Sequence, residues 1–261
     1  MATIDLTALS DELYAALQQQ KTVAPLTARV PGITIDDAYK ISLAFLQRRL
    51  KDGERVVGKK IGVTSKPVQD MLDVREPDFG FLTDVMEVPN GGTVEISKSL
   101  IQPRAEAEIG IILAKDIKGP GVTAEDVLEA TESIAACFEI VDSRITDWKI
   151  RIQDTVADNA SCGVFVLGNE RVNPRGLDLA NLKATVTKNG KFLSEGLGSA
   201  VQGSPLTSTA WLANTLGSYG VTLSAGDIIL SGSLVPLEPA SPGDEFHMEL
   251  SDVGSCTVRF S

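Results

Sequence analysis

The sequence changes its period once, and that change constrains the fold more than any other feature. Through Leu50, apolar residues recur every three or four positions: Leu6, Leu9, Leu13 and Leu17, then Tyr39, Leu43, Leu46 and Leu50. Side chains at that spacing share one face of an α-helix. Thr34 ahead of Asp37 has the form of a capping box, and Lys51-Asp52-Gly53 ends the second helix. From Arg55 onward, short runs rich in Val, Ile and Leu alternate with Gly, Pro, Asp and Asn, at 56–63, 108–113, 138–142, 164–167, 227–230, 246–250 and 256–260. These runs read as strands, with turns at Ala225-Gly226-Asp227 and Pro242-Gly243-Asp244. Residues 124–136 and 207–217 read as isolated helices within the β-rich part, and no repeat or long linker interrupts it. The expected architecture is α+β: a small helical portion over 1–54, then a β-rich catalytic domain over 55–261.

Composition narrows the function classes. The 261 residues, 43% of them apolar, can bury a substantial core. Thirty-five acidic against 24 basic residues give a net charge of -11, which repels phosphate backbones and argues against nucleic acid as a partner. Met1 to Leu17 carries Asp5, Asp11 and Glu12 and no basic residue before Lys21, unlike a signal peptide. No run approaches the roughly 20 apolar residues that span a bilayer, so no membrane role is expected. Cys137, Cys162 and Cys256 lie far apart without a Cys-x-x-Cys pair, so neither a disulfide framework nor a zinc knuckle is indicated. A reducing cytoplasm is the expected compartment.

The segment Pro103-Arg104-Ala105-Glu106-Ala107-Glu108-Ile109-Gly110-Ile111 carries the most chemistry. Read as a strand, it puts Glu106 and Glu108 on one face and Ala105, Ala107, Ile109 and Ile111 on the core side. Gly110 continues the carboxylate face and is expected to leave room for a ligand. A bare Glu-x-Glu on a sheet is more often a solvated face. Glu139 shifts that balance, because it sits inside the apolar run Ala136-Cys137-Phe138-Glu139-Ile140-Val141, where a charge is costly unless paired or bound to metal. Three carboxylates without a His or Cys cluster suit a hard cation, Mg²⁺ or Mn²⁺.

In Val57-Gly58-Lys59-Lys60-Ile61-Gly62, a strand reading turns Lys60 away from Val57, Lys59 and Ile61, with glycines on either side clearing space for its ammonium. Of two adjacent lysines, one is expected to be exposed. Asp154 to Gly163 is a polar loop of the kind that arranges hydroxyls and amides around a ligand. The single histidine, His247, alternates with Phe246 and Met248 and is expected to face solvent, which leaves proton transfer to Lys, carboxylates or metal-bound water. Cys137 shares strand parity with Glu139 and reads as a small buried residue; Trp148 and Trp211 read as packing residues.

Five collinear motifs together resemble the hydratase/decarboxylase branch of the fumarylacetoacetate hydrolase superfamily. They are Gly58-Lys59-Lys60-Ile61-Gly62 with Thr64, Glu76-Pro77-Asp78-Phe79-Gly80, Pro103-Arg104-Ala105-Glu106-Ala107-Glu108, Phe138-Glu139-Ile140-Val141-Asp142-Ser143-Arg144, and Val156-Ala157-Asp158-Asn159-Ala160-Ser161. Two further stretches, Ile145-Thr146-Asp147-Trp148-Lys149-Ile150 and Ala160 to Gly168, are similar to the hydratases of that branch. The resemblance implies β-strands rolled into a barrel-like sandwich, and Glu106, Glu108 and Glu139 as metal ligands. It places Lys60, Asp78 and Ser161 at the reaction centre. It further implies homo-oligomers, and association with a decarboxylase or aldolase of the same aromatic meta-cleavage pathway. The implied activity is hydration of 2-hydroxypenta-2,4-dienoate to 4-hydroxy-2-oxopentanoate.

Two alternatives stand beside it. One is decarboxylation of 4-oxalocrotonate, whose second carboxylate calls for a cation such as Arg75 or Arg144. The other is a non-catalytic partner subunit, which loss of a ligand would have favoured; all three carboxylates are present.

Overall fold

A computed structural model describes residues 4–261. Three helices come first: α1 (Leu6–Gln19), α2 (Leu26–Arg29) and α3 (Ile35–Lys51). Thr34 and Asp37 form the expected capping box on α3, whose last residue is Lys51. The buried stripe of α3 runs through Ala38, Ile41, Phe45 and Leu46, while Leu43 is exposed, so the packed face is rotated from the one the leucine spacing suggests. The helices bury Leu13, Leu26, Ile41 and Phe45 against Ile145, Ile152 and Val156.

The rest alternates β1 (Val56–Gly62), α4 (Lys66–Leu72), β2 (Asp78–Thr83), β3 (Glu87–Val88), β4 (Thr93–Val94), α5 (Ile96–Ser99), β5 (Pro103–Leu113), α6 (Ala124–Ala130) and β6 (Thr131–Asp142). It continues with α7 (Ile152–Ala157), β7 (Cys162–Leu167), β8 (Lys183–Lys188), β9 (Lys191–Leu197), α8 (Pro205–Ser218), β10 (Ile228–Leu230), β11 (Glu238–Pro239), β12 (Glu245–Leu250) and β13 (Gly254–Phe260). The larger, curled sheet runs β2-β1-β10-β5-β6-β7-β3, with β11 on β5, and the smaller runs β4-β13-β12-β8-β9. The expected α+β class with a rolled β body is what the chain forms.

Two expectations fail locally. The helix read over 124–136 stops at Ala130, and Thr131 onward is strand, because β5 pairs with β6 from Thr131 to Asp142 and β7 joins its other side from Cys137. Sheet pairing outweighs the modest helix preference of an alanine-containing stretch. The β8–β9 hairpin was not anticipated, although Asn189-Gly190 turns it with φ of 54° and 73°.

The sheets pack on one side only. Ala105, Ala107, Ile109, Phe138 and Ile140 form a core with Phe246, Met248, Val258 and Phe260 of the smaller sheet. The other side of the larger sheet is left free of that layer. Its apolar residues, Leu82, Cys137, Phe165, Leu167 and Leu230 among them, cluster separately. No helix of the described residues is long and apolar enough to cross a membrane.

Candidate metal centre and active site

Strand register assembles the site. Glu106 lies directly opposite Glu139 across β5 and β6, and Glu108 opposite Cys137. Cross-strand partners share a face, so three carboxylates meet, each offering one oxygen within 4.8 Å of the others. Glu108 and Glu139 are fully buried, and Glu106 is half-buried. On the adjoining strands, Lys60 pairs with Gly80 and Gly62 with Asp78, which puts Lys60 and Asp78 on one face. The Lys60 Nζ stands 3.4 Å from Glu139 Oε1 and donates to the Ala160 carbonyl at 3.0 Å.

Burial dominates the electrostatics. Burial, and then Glu139, pushes the Glu106 carboxyl up to about 8. Glu108 is raised well above the carboxylate range by burial and by its two carboxylate neighbours. Burial also raises Glu139 and Asp78, against the pull of Lys60. For Lys60, burial disfavours the ammonium, but Glu139, Asp78 and Glu106 outweigh it and hold the charge.

These residues fit a divalent cation. Four carboxyls face a single ammonium, and Glu108 Oε1, both Glu139 oxygens and Asp78 Oδ1 are buried without a hydrogen-bond partner. Orphaned buried oxygens are expensive unless something positive takes them up. An all-oxygen set converging on one point suits a hard cation.

Ser161 arrives by a strained route. Asn159, Ala160 and Ser161 have φ of 54°, 50° and 53°, three successive left-handed residues without a glycine. Each costs of order 1–3 kcal/mol unless its surroundings hold it. The Asn159 side chain accepts from Phe81 N at 2.8 Å and donates to Phe81 O at 3.0 Å, fastening the turn to β2. The Ser161 hydroxyl is buried 3.1 Å from that of Thr155.

Of the single residues, Lys59, Gly58 and Gly110 depart from the sequence expectation. Both lysines of the pair are buried: Lys59 faces the other side of β1 and forms an ion pair with Asp227, so neither is a solvated surface lysine. Gly62 does clear space, since a Cβ there would overlap Asp78 Oδ1 and come 3.0 Å from Lys60 Nζ; Gly58 instead admits the backbone of β10 at Ile228. The gap beside Gly110 is filled by Leu167, whose Cδ2 would stand 2.8 Å from a Cβ, so it leaves no room for a ligand. Arg75 is exposed among Asp70 and Asp73, and Arg144 is enclosed against Asp158. His247 is half-exposed beside Glu249 and Thr257, on the smaller sheet and not on the one that carries the carboxylates.

Sequence reasoning missed the Gly232 amide, which donates to Glu108 Oε2 at 2.8 Å. The run Ser231-Gly232-Ser233 directly after a strand was the available signal, because small residues free backbone donors for anionic groups.

Residues 51–261 match the family described as fumarylacetoacetate (FAA) hydrolase C-terminal. A 2-hydroxyhexa-2,4-dienoate hydratase of Comamonas testosteroni is 60% identical over 250 residues, 95% of each chain. A 2-hydroxypent-2,4-dienoate hydratase of Pseudomonas putida is 62% identical over 213 residues, 82% of this chain and 96% of that one. The solved structure of 4-oxalocrotonate decarboxylase from Pseudomonas putida G7, complexed with magnesium and adipate, superposes with a TM-score of 0.96 at 34% identity, covering all of both chains. This chain therefore belongs to the fumarylacetoacetate hydrolase family.

Proposed function

We propose that the chain is a hydro-lyase that adds water to 2-hydroxypenta-2,4-dienoate, giving 4-hydroxy-2-oxopentanoate, with a divalent cation held by Glu106, Glu108 and Glu139. The observation that carries this reading is the identity of 60–62% to relatives named as hydratases of such dienoates. The cluster of unpartnered carboxylate oxygens beside Lys60 supports it. Magnesium is the assigned metal, with manganese as its substitute, since both take oxygen ligands. When bound, the cation supplies a Lewis acid for the carboxylate and 2-oxygen of the substrate.

The chain's own residues handle the protons. The dienol gives up its hydroxyl proton and gains one at C5, which makes the 2-oxo-3-enoate. Water then adds its oxygen at C4, and a proton enters at C3. The Lys60 ammonium, held charged among carboxylates, stabilises the enolate; with the charge of those carboxylates taken up by a cation, its proton would loosen and Lys60 would then deliver it. Asp78, two strand positions from Gly80 and beside Lys60, orients and deprotonates the attacking water. Ser161 is a hydrogen-bond partner for substrate or water. Residues 1–54 serve as a helical brace for a catalytic domain over 55–261, through the packing of α3 on Ile152 and Val156.

The decarboxylase structure at 34% identity makes loss of CO₂ the second reading. A dicarboxylate substrate needs a second cation, and neither arginine put forward for it is available inside the site. The test offers 2-hydroxypenta-2,4-dienoate and 4-oxalocrotonate separately with Mg²⁺ and identifies the products. Water addition to the first is expected. CO₂ release from the second, with the dienoate untouched, overturns the assignment.

A further inference from the structure

One guanidinium closes both ends of the strained turn at Asn159–Ser161. Arg144 is 1% exposed. Its Nε donates to Asp158 Oδ1 at 2.5 Å, and its backbone N–H to Asp158 Oδ2 at 2.8 Å. Its Nη2 donates to the Asp158 carbonyl at 2.6 Å and its Nη1 to the Cys162 carbonyl at 2.9 Å. Nη1 also donates to the Asp142 carbonyl. Asp158 and Cys162 immediately precede and follow the three left-handed residues, so the planar fork spans the turn. The Phe45 ring of α3 lies 5.9 Å from the guanidinium carbon.

The geometry points to Arg144 as a positioning residue that sets Lys60 through this turn. It rests on the reading of Lys60 as the proton-handling group. The turn offers the Ala160 carbonyl to the Lys60 ammonium at 3.0 Å. Glu139 Oε1 faces the same ammonium at 3.4 Å, an ion pair longer than the bond to the carbonyl. The carbonyl therefore holds the ammonium just short of a metal-ligand carboxylate. Three left-handed residues relax if their ends are released. A carbonyl that moves away frees the flexible lysine to swing onto Glu139, where it competes with the cation and leaves its catalytic place. Lysine cannot replace arginine here, because an ammonium has no fixed fork to span two carbonyls.

A double-mutant cycle between Arg144→Lys and Lys60→Ala tests this. Hydration kcat and Mn²⁺ affinity are measured for the parent, both single variants and the pair. In the Lys60 background, Arg144→Lys should lower kcat by about 10–10²-fold and weaken Mn²⁺ binding about tenfold. In the Lys60→Ala background it should change neither. Equal losses in both backgrounds, in either measurement, overturn the proposal and leave Arg144 a purely structural residue. If the parent hydrates no dienoate, the function reading fails by itself, and Mn²⁺ affinity still decides the cycle. Where Arg144→Lys does not fold, Asn159→Gly replaces it, since glycine tolerates the left-handed φ while losing the fastening to Phe81.

Discussion

Replacing Glu106 by Gln removes one charge from a site where four carboxyls face one ammonium. Without metal, burial and Glu139 hold this carboxyl at about 8 instead of its ordinary 4.5. Ionising a group so displaced costs the folded state up to about 5 kcal/mol, at about 1.4 kcal/mol per tenfold. Glu106 is the least covered of the three carboxyls proposed as ligands, and solvent screening leaves about 1–2 kcal/mol. An acid whose folded value is raised contributes stability that is present below 4.5 and is lost as pH rises through about 8. Glutamine has no such loss. In EDTA the variant should therefore melt above the parent at pH 8.5 by about 2–8 °C, using about 2–4 °C per kcal/mol for a chain of this size. The gap should shrink at pH 5.5. With Mg²⁺ the order should reverse, because only the parent gains ligand-linked stability, and hydration by the variant should be lost. A variant less stable than the parent in EDTA at pH 8.5, or a gap equal at both pH values, would refute the reasoning and assign Glu106 a structural ion pair.

Three further outcomes follow from the same geometry. Chelation should abolish hydration, and Mg²⁺ or Mn²⁺ should restore it; full activity in metal-free protein sinks the metal assignment. Lys60→Ala should lower kcat about 10²–10⁴-fold, followed as loss of dienol absorbance, while Mn²⁺ affinity stays at least that of the parent. Unchanged turnover would remove Lys60 from the mechanism. Gly62→Ala forces a methyl against Asp78 and Lys60, so kcat should fall about 10²-fold while stability drops by no more than an overpacked core position costs, about 1–3 kcal/mol. Normal kcat in that variant would mean that the two side chains have room to move without consequence.

The features legible along the chain are local ones. The helical period before Leu50, the Thr34 cap and the parity that puts Glu106 beside Glu108 all depend on neighbours within a few residues. The misfit of Glu139 in an apolar run was equally visible, because the cost of an unpaired buried charge needs no fold to be recognised. The Asn189-Gly190 pair is a hairpin signal of the same local kind. Tertiary structure alone decided the rest. The Glu106–Glu139 pairing depends on the register of β5 against β6, and a slip of one residue would turn either carboxylate to the opposite face. Thr131 to Ala136 became strand because β5 pairs along it, with a further bridge from Ile134 to Val172, and Lys59 was buried because Asp227 lies beside it. Arg144 reaches both ends of the turn at Asn159–Ser161 only because the chain folds back over it. Charges and hydrogen bonds act over a few ångströms of space, and no period along the chain records which distant residues will be brought that close.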